Sequence, residues 1–253
     1  MRRQLEAEFQ QAAKRYEQGD VEESAHLFEK LVVDDPAWIA PRQLLAEIYY
    51  RTGRLAEAQS QLDWLTEHAV EHPRLALIWG AIALSHRRLA EASDALEYAA
   101  YVEPTLPSVH TLLGTVRLRY ADVDAAEAAF QKAVEQNPAD AYALDGLAAV
   151  CLRRSDFAGA ANYALEALAQ DMQLFRAHYH LGVGLAHLGR PQEATVALEA
   201  SAKINPNAAA PYYWLQQIAE SELADADLAA QYRSRSREII RRRRERRNRT
   251  ASL

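Results

Sequence analysis

With Cys151 as its single cysteine in 253 residues, the chain has no intramolecular disulfide framework and no all-cysteine zinc site, which fits a reducing compartment. Nine glycines, nine prolines and five phenylalanines are thin material for a sheet protein, which draws on turns and aromatic strands. Lysine is scarce too, being confined to Lys14, Lys30, Lys132 and Lys203, a bias with no functional weight. No apolar run approaches the length of a membrane span. The opening MRRQLEAEFQQAAKRYEQGD is basic but lacks the apolar stretch of a secretory signal. A cytoplasmic chain with no transmembrane segment is the expectation. The composition that remains, 49% hydrophobic and 25% charged, is that of a globular protein able to bury a core.

Charge is divided unevenly. Ten arginines stand between Arg233 and Arg249 against Glu238 and Glu245, a local excess of eight, so the rest of a chain of net charge −6 carries −14. An acidic body is joined to a basic tail.

The body is periodic. Ala58, Ala92, Ala126, Ala160 and Ala194 recur every 34 residues, with Ser24 one period earlier. If units begin at residues 5, 39, 73, 107, 141 and 175, this small-residue column is place 20. Place 7 is large (Leu45, Trp79, Leu113, Leu147, Leu181, Leu215) and place 8 small (Ala46, Gly80, Gly114, Ala148, Gly182). Phe28, Leu62, Leu96, Phe130 and Leu198 hold place 24, Pro36, Pro104, Pro138 and Pro206 place 32, and Gly19, Gly53 and Gly189 place 15. Apolar spacing is helical from place 4 to 11 and from 17 to 28, so each unit is predicted to be a pair of amphipathic helices joined by a turn near place 15. Small residues at places 8 and 20 allow the two backbones to approach, and large ones at 7 and 24 fill the space beside them. Proline at place 32 cannot continue the second helix. A lone hairpin cannot bury its apolar face, so the units must stack.

These columns resemble the tetratricopeptide repeat family, most closely over Pro107 to Asp140 (PSVHTLLGTVRLRYADVDAAEAAFQKAVEQNPAD). The resemblance implies an all-α right-handed superhelical solenoid of six hairpins over residues 1–232, with a capping helix from about 209, followed by an arginine-rich tail over 233–253. It also implies a scaffold or adaptor role and no cofactor, because such repeats mostly bind other proteins.

Places 2, 5, 9, 12 and 13 of the first helix lie opposite the stacking face. In the family they line the concave groove. Here they supply Arg51, Arg119, Arg153 and His187 at place 13, Arg74 and Arg176 at place 2, Tyr50, Leu84, Leu118 and Leu152 at place 12, and Leu77, Tyr179 and Tyr213 at place 5. An apolar floor with basic rungs suits a peptide carrying apolar anchors and acidic groups. The bland alternative has place 12 packing between neighbouring first helices and the arginines pairing with acids of adjacent units. The carboxylate clamp of chaperone-binding members is excluded, since the five clamp places hold Phe9, Ala13, Leu44, Arg74 and Ile78, of which only Arg74 fits.

Other chemistry is sparse. His68, Glu71 and His72 match the H-x-x-E-H pattern of one class of zinc peptidases, but fall just before Pro73 where a helix should end, leaving a metallopeptidase as a remote alternative. His178 and His180 point to opposite faces of one helix and cannot chelate together. Cys151 takes a core place and is expected to be an inert thiol. No phosphate loop or nucleophile motif is present, so a non-enzyme is expected. The tail arginines Arg233, Arg235, Arg237, Arg241, Arg242, Arg243, Arg244, Arg246, Arg247 and Arg249 offer a second functional reading, contact with RNA or an anionic membrane surface. Without an aromatic residue among them to stack bases, sequence-specific RNA recognition is disfavoured.

Overall fold

The computed structural model describes residues 2–68, 70–222 and 224–251, and for 246–251 the backbone alone. Among the described residues there are fourteen helices and no strand. They are α1 Arg2–Glu17, α2 Val21–Asp34, α3 Ile39–Arg51, α4 Leu55–Glu67, α5 Pro73–Ser85, α6 Leu89–Val102, α7 Val109–Arg119, α8 Val123–Gln136, α9 Ala141–Arg153, α10 Phe157–Gln170, α11 Phe175–His187, α12 Pro191–Ile204, α13 Ala209–Ser221 and α14 Ala226–Ala251. The chain divides into two compact units, residues 1–116 and 117–253, with α7 spanning the division. No described helix is long and apolar enough to cross a membrane.

The 34-residue phase survives in the helix starts. α3, α5, α9, α11 and α13 begin at 39, 73, 141, 175 and 209, and the second helices from α2 to α12 begin at 21, 55, 89, 123, 157 and 191. α7 begins two residues late, after Ser108 adopts φ 66°. Between the helices of the six hairpins, place 15 takes a left-handed conformation every time, on Gly19, Gly53 and Gly189 and also on Arg87, Ala121 and Ser155. The turn geometry therefore belongs to the repeat, and three units adopt it at the steric expense of a side chain.

The small-residue columns have a direct cause. A Cβ built on Gly80 would lie 2.6 Å from Leu96 Cγ and 3.3 Å from the Ala92 carbonyl, and one on Gly182 would lie 2.5 Å from Leu198 Cγ and 3.2 Å from the Ala194 carbonyl. Places 8, 20 and 24 of a unit thus meet at one point, and in these two units place 8 has room for a hydrogen alone. The buried Ser24 hydroxyl donates to the Ala12 carbonyl at 3.0 Å, a polar version of the same close approach. The loops between units are tied by place 4. Arg42 donates to the Pro36 carbonyl, and rings at the same place, His110 and His178, lie 2.8 and 3.0 Å from the carbonyls of Pro104 and Met172. His178 is accordingly a loop-fastening residue.

α14 is the second helix of a seventh hairpin and packs on α13. It begins one residue later than the phase requires and continues for 26 residues, running without interruption across residue 232 into the arginine-rich segment. Ala229, Ser236 and Ile239 are buried along one stripe, and Tyr232 Oη donates to Glu199 at 2.8 Å. That burial, with Glu199 beside it, pushes the Tyr232 phenol up to about 12.

Candidate functional site

First helices of the second unit form one wall each of a cavity of about 470 Å³. α7 supplies Leu118, α9 Ala149, Leu152 and Arg153, α11 Tyr179, His180, Val183 and His187, and α13 Trp214, while Phe157 closes it from the start of α10. The aromatic walls are ordered by their own contacts. His187 stacks on Phe157 with centroids 4.0 Å apart and meets Trp214 edge-on at 5.2 Å. Burial holds the Tyr179 phenol above the ordinary range, with Trp214 acting in the opposite direction. Arg153 is exposed at the rim and has no ion pair or hydrogen bond among the described residues. A guanidinium at the mouth of an aromatic and aliphatic cavity keeps its donors available for an incoming acceptor.

Beneath the cavity lies a buried carboxylate. Asp145 on α9 is 1% exposed, with Oδ2 2.8 Å from the Arg176 guanidinium and Oδ1 2.7 Å from His180 Nδ1. Burying a carboxylate is costly unless it is paired and hydrogen-bonded on both oxygens, which Arg176 and His180 accomplish from one face of α11.

The structure brings together five of the groove residues expected from sequence, Leu118, Leu152, Arg153, Tyr179 and His187. Arg176 is committed to Asp145, and Tyr213 is an exposed neighbour of Trp214, their rings 6.3 Å apart. Arg119 is exposed at the end of α7. In the first unit the expected residues behave differently. Arg51 donates to Tyr16 Oη at 2.7 Å, Tyr16 donates to Glu47 at 3.2 Å, and Arg51 and Arg74 each lie 3.9 Å from a Glu47 oxygen. These arginines pair with an acid of their own array, as in the bland alternative. Tyr50 and Leu77 pack half-buried against the core, and Leu84 is a core residue. A smaller cavity of about 280 Å³, lined by Phe9, Leu44, Glu47, Arg74 and Ile78 among others, is what that strip presents.

Asp145, Phe157 and Trp214 are absent from the sequence reading, and His180 enters it only as a residue unable to chelate together with His178. His180 and Trp214 hold place 6, only about 20° from place 13 on a helical wheel, so the strip should have been drawn wider. Asp145 was visible as an acid in the place 5 column, where Phe9, Leu77, Tyr179 and Tyr213 also stand. Phe157 opens a second helix, outside any first-helix pattern.

The zinc pattern lacks its helix. His68 follows the end of α4, with Nδ1 2.8 Å from the Trp64 carbonyl and its ring stacked on Trp64, and His72 caps α5 by accepting from the Arg74 amide. No cluster of three metal-ligating side chains occurs among the described residues. Along α14, Arg233 pairs with Glu220, Arg235 and Arg242 with Glu238, Arg241 with Glu245, and Arg243 donates to the Asn207 carbonyl at 2.7 Å. Arg237 and Arg244 are exposed. The side chains of Arg246, Arg247 and Arg249 lie outside the described residues.

Comparison with known proteins agrees with this architecture. Family models described as tetratricopeptide repeat match residues 15–78 and 111–175. Curated proteins yield no match by sequence. Among solved structures, a tetratricopeptide repeat protein from Parabacteroides merdae is 15% identical with a TM-score of 0.64, the match covering 93% of each chain. PilF of Pseudomonas aeruginosa is 16% identical with a TM-score of 0.66, over 84% of this chain and 97% of that one. YrrB, described as a tetratricopeptide protein with an unusual peptide-binding site, is 21% identical with a TM-score of 0.54, over 75% of this chain and 97% of its own. At such identities the likeness is one of fold. With its helix phase, its packing columns and two matched segments in agreement, the chain belongs to the tetratricopeptide repeat family.

Proposed function

We propose that this protein is a non-catalytic scaffold that holds a peptide or protein segment of acidic and apolar character in the first-helix cavity of its second unit. Protein contact is the general role of tetratricopeptide arrays, and YrrB, of similar fold, carries a peptide-binding site. The observation that carries the specific reading is the unpartnered Arg153 beside Leu118, Leu152, Phe157, Tyr179 and Trp214. The cavity volume falls within the roughly 300–1,000 Å³ of ligand pockets, and one large apolar side chain buried there contributes about 1.5–3 kcal/mol. A carboxylate on the Arg153 fork adds direction and register.

The test is a panel of acetylated, amidated dodecapeptides with one central glutamate flanked by Leu, Ile or Phe, each beside its Glu→Gln counterpart, measured by fluorescence anisotropy. Arg153→Ala is expected to weaken an acidic peptide about tenfold, a loss of about 1.4 kcal/mol, and to flatten its salt dependence, with little effect on the glutamine counterpart. Leu118→Ser combined with Leu152→Ser should weaken both at every salt concentration. Binding that none of these changes alters, or an absence of binding across the panel, contradicts the proposal.

A further inference from the structure

Asp145 and His180 give the cavity a property that Arg153 alone lacks. The Asp145 carboxylate faces the Arg176 guanidinium through one oxygen and His180 through the other, so it accepts on both sides and the hydrogen of the imidazole resides on Nδ1. His180 lines the cavity with its side chain 14% exposed, and Nε2 has no partner among the described residues. No fully buried side-chain nitrogen or oxygen among them lacks a hydrogen bond, so Nε2 is reached from the cavity. In the neutral ring this atom carries a lone pair, which a peptide carboxylate bound in the cavity would come to face. Two acceptors then face each other, unless the ring takes up a proton.

We infer that the cavity is a proton-coupled carboxylate site, in which an acidic side chain binds between the Arg153 guanidinium and His180 Nε2 while His180 takes one proton from solvent at Nε2. This rests on the reading that the cavity holds a peptide. The proton comes from water, no other bond changes, and the imidazolium formed lies between two carboxylates, Asp145 at Nδ1 and the ligand at Nε2. The charged and titratable groups around the ring are Asp145 and Arg153 from α9 and Arg176, Tyr179 and His187 from α11 itself, while α10 and α13 contribute Phe157 and Trp214, and no residue of α12 lines the cavity. Asp145 and the bound carboxylate favour the charged ring, Arg153 and Arg176 oppose it, and only the ligand changes on binding. Binding therefore draws in the proton, and the affinity for an acidic ligand rises as pH falls. His180 is a specificity-determining residue on this account, and Asp145 its positioning residue.

Calorimetric titration in two buffers of different ionisation enthalpy at pH 7.5 counts the protons taken up with the tightest-binding glutamate dodecapeptide of the panel and with its glutamine counterpart. The acidic peptide should bring up to about one proton and bind about tenfold more weakly at pH 8 than at pH 6.5, and the glutamine peptide should do neither. Uptake should vanish in His180→Gln, fall in Asp145→Asn, and persist in His187→Gln, since His187 stacks on Phe157 and lacks the carboxylate partner. On the unaltered chain, ¹⁵N signals of the histidine rings should show His180 Nε2 becoming protonated as the acidic peptide saturates, a readout that does not depend on a variant folding. Acidic-peptide binding with no proton uptake and a flat pH profile overturns the coupling and leaves the scaffold proposal standing. Uptake that survives in a folded His180→Gln, or a His180 ring that does not respond at saturation, overturns it equally. Absence of binding by every panel peptide contradicts the scaffold proposal and this one with it.

Discussion

Replacing Gly182 by alanine sets two opposing effects against each other, and the structure decides between them. Alanine is favoured over glycine inside a helix by about 1 kcal/mol. The added Cβ, however, would stand 2.5 Å from Leu198 Cγ, 2.9 Å from Cδ2 and 3.2 Å from the Ala194 carbonyl, where ordinary contacts begin at 3.4 Å. Leu198 is fully buried and the clash is with its branch point, so turning its terminal methyls does not relieve it, and the carbonyl belongs to the α12 backbone. α11 and α12 must separate by several tenths of an ångström, an overpacking cost of about 1–3 kcal/mol. The balance is a loss of up to about 2 kcal/mol, which for a chain of this size lowers the melting midpoint by up to about 4–8 °C. Melts followed by far-ultraviolet circular dichroism test this in two backgrounds. Leu198→Ala alone should cost about 2–5 kcal/mol, and on that background Gly182→Ala should become stabilising, because the methyl now enters vacated space. A Gly182→Ala variant that melts higher than the parent would refute the packing argument, since helix propensity would then be the whole effect.

Ser155 sits at φ 60° where other units have glycine, so Ser155→Gly should raise the urea-unfolding free energy by about 1 kcal/mol, and a lowered midpoint would contradict the turn assignment. Ile239 is 4% exposed in the α13–α14 hairpin, so Ile239→Ala should cost about 2–5 kcal/mol and speed amide exchange in α13, whereas unchanged exchange would show that the arginine-rich helix does not brace it. Burial first, and then the charges of Asp156 and Glu127, push the Cys151 thiol up to about 11 from 9.0. Its thiolate is therefore scarce at neutral pH, alkylation at pH 8 should be about 100-fold slower than in the unfolded chain, and the rate should still climb about tenfold per unit at pH 10.

Helix phase was the most legible feature, because Gly182, Leu198 and Ala194 meet at one point and a packing constraint repeated every 34 residues leaves an unbroken column in the sequence. The turns were half legible. Glycine marks three of them, but Arg87, Ala121 and Ser155 adopt the same left-handed backbone without announcing it. Arg51 and Arg153 share place 13, yet one engages Tyr16 and Glu47 while the other stands unpaired, since a column gives the direction of a side chain and not what awaits it there. The pairing of Asp145 with His180 spans 35 residues and two helices, and no local pattern encodes it. The buried stripe of α14 was obscured by its charge, because Ala229, Ser236 and Ile239 are too sparse to stand out among ten arginines.

Trp214 offers the most direct measurement of where a partner binds. It is the only tryptophan in the second unit, since Trp38, Trp64 and Trp79 belong to the first, and it lines the cavity while a second groove of that unit is lined by Leu165 of α10, Leu188 at the end of α11 and Val196 of α12. Its indole N–H signal, assigned with Trp214→Phe, should shift saturably as the acidic panel peptide is added, with the same dissociation constant as the anisotropy titration, while the other three indole signals stay in place. A peptide that binds and leaves the Trp214 signal unmoved contradicts the assignment of the cavity as the binding site.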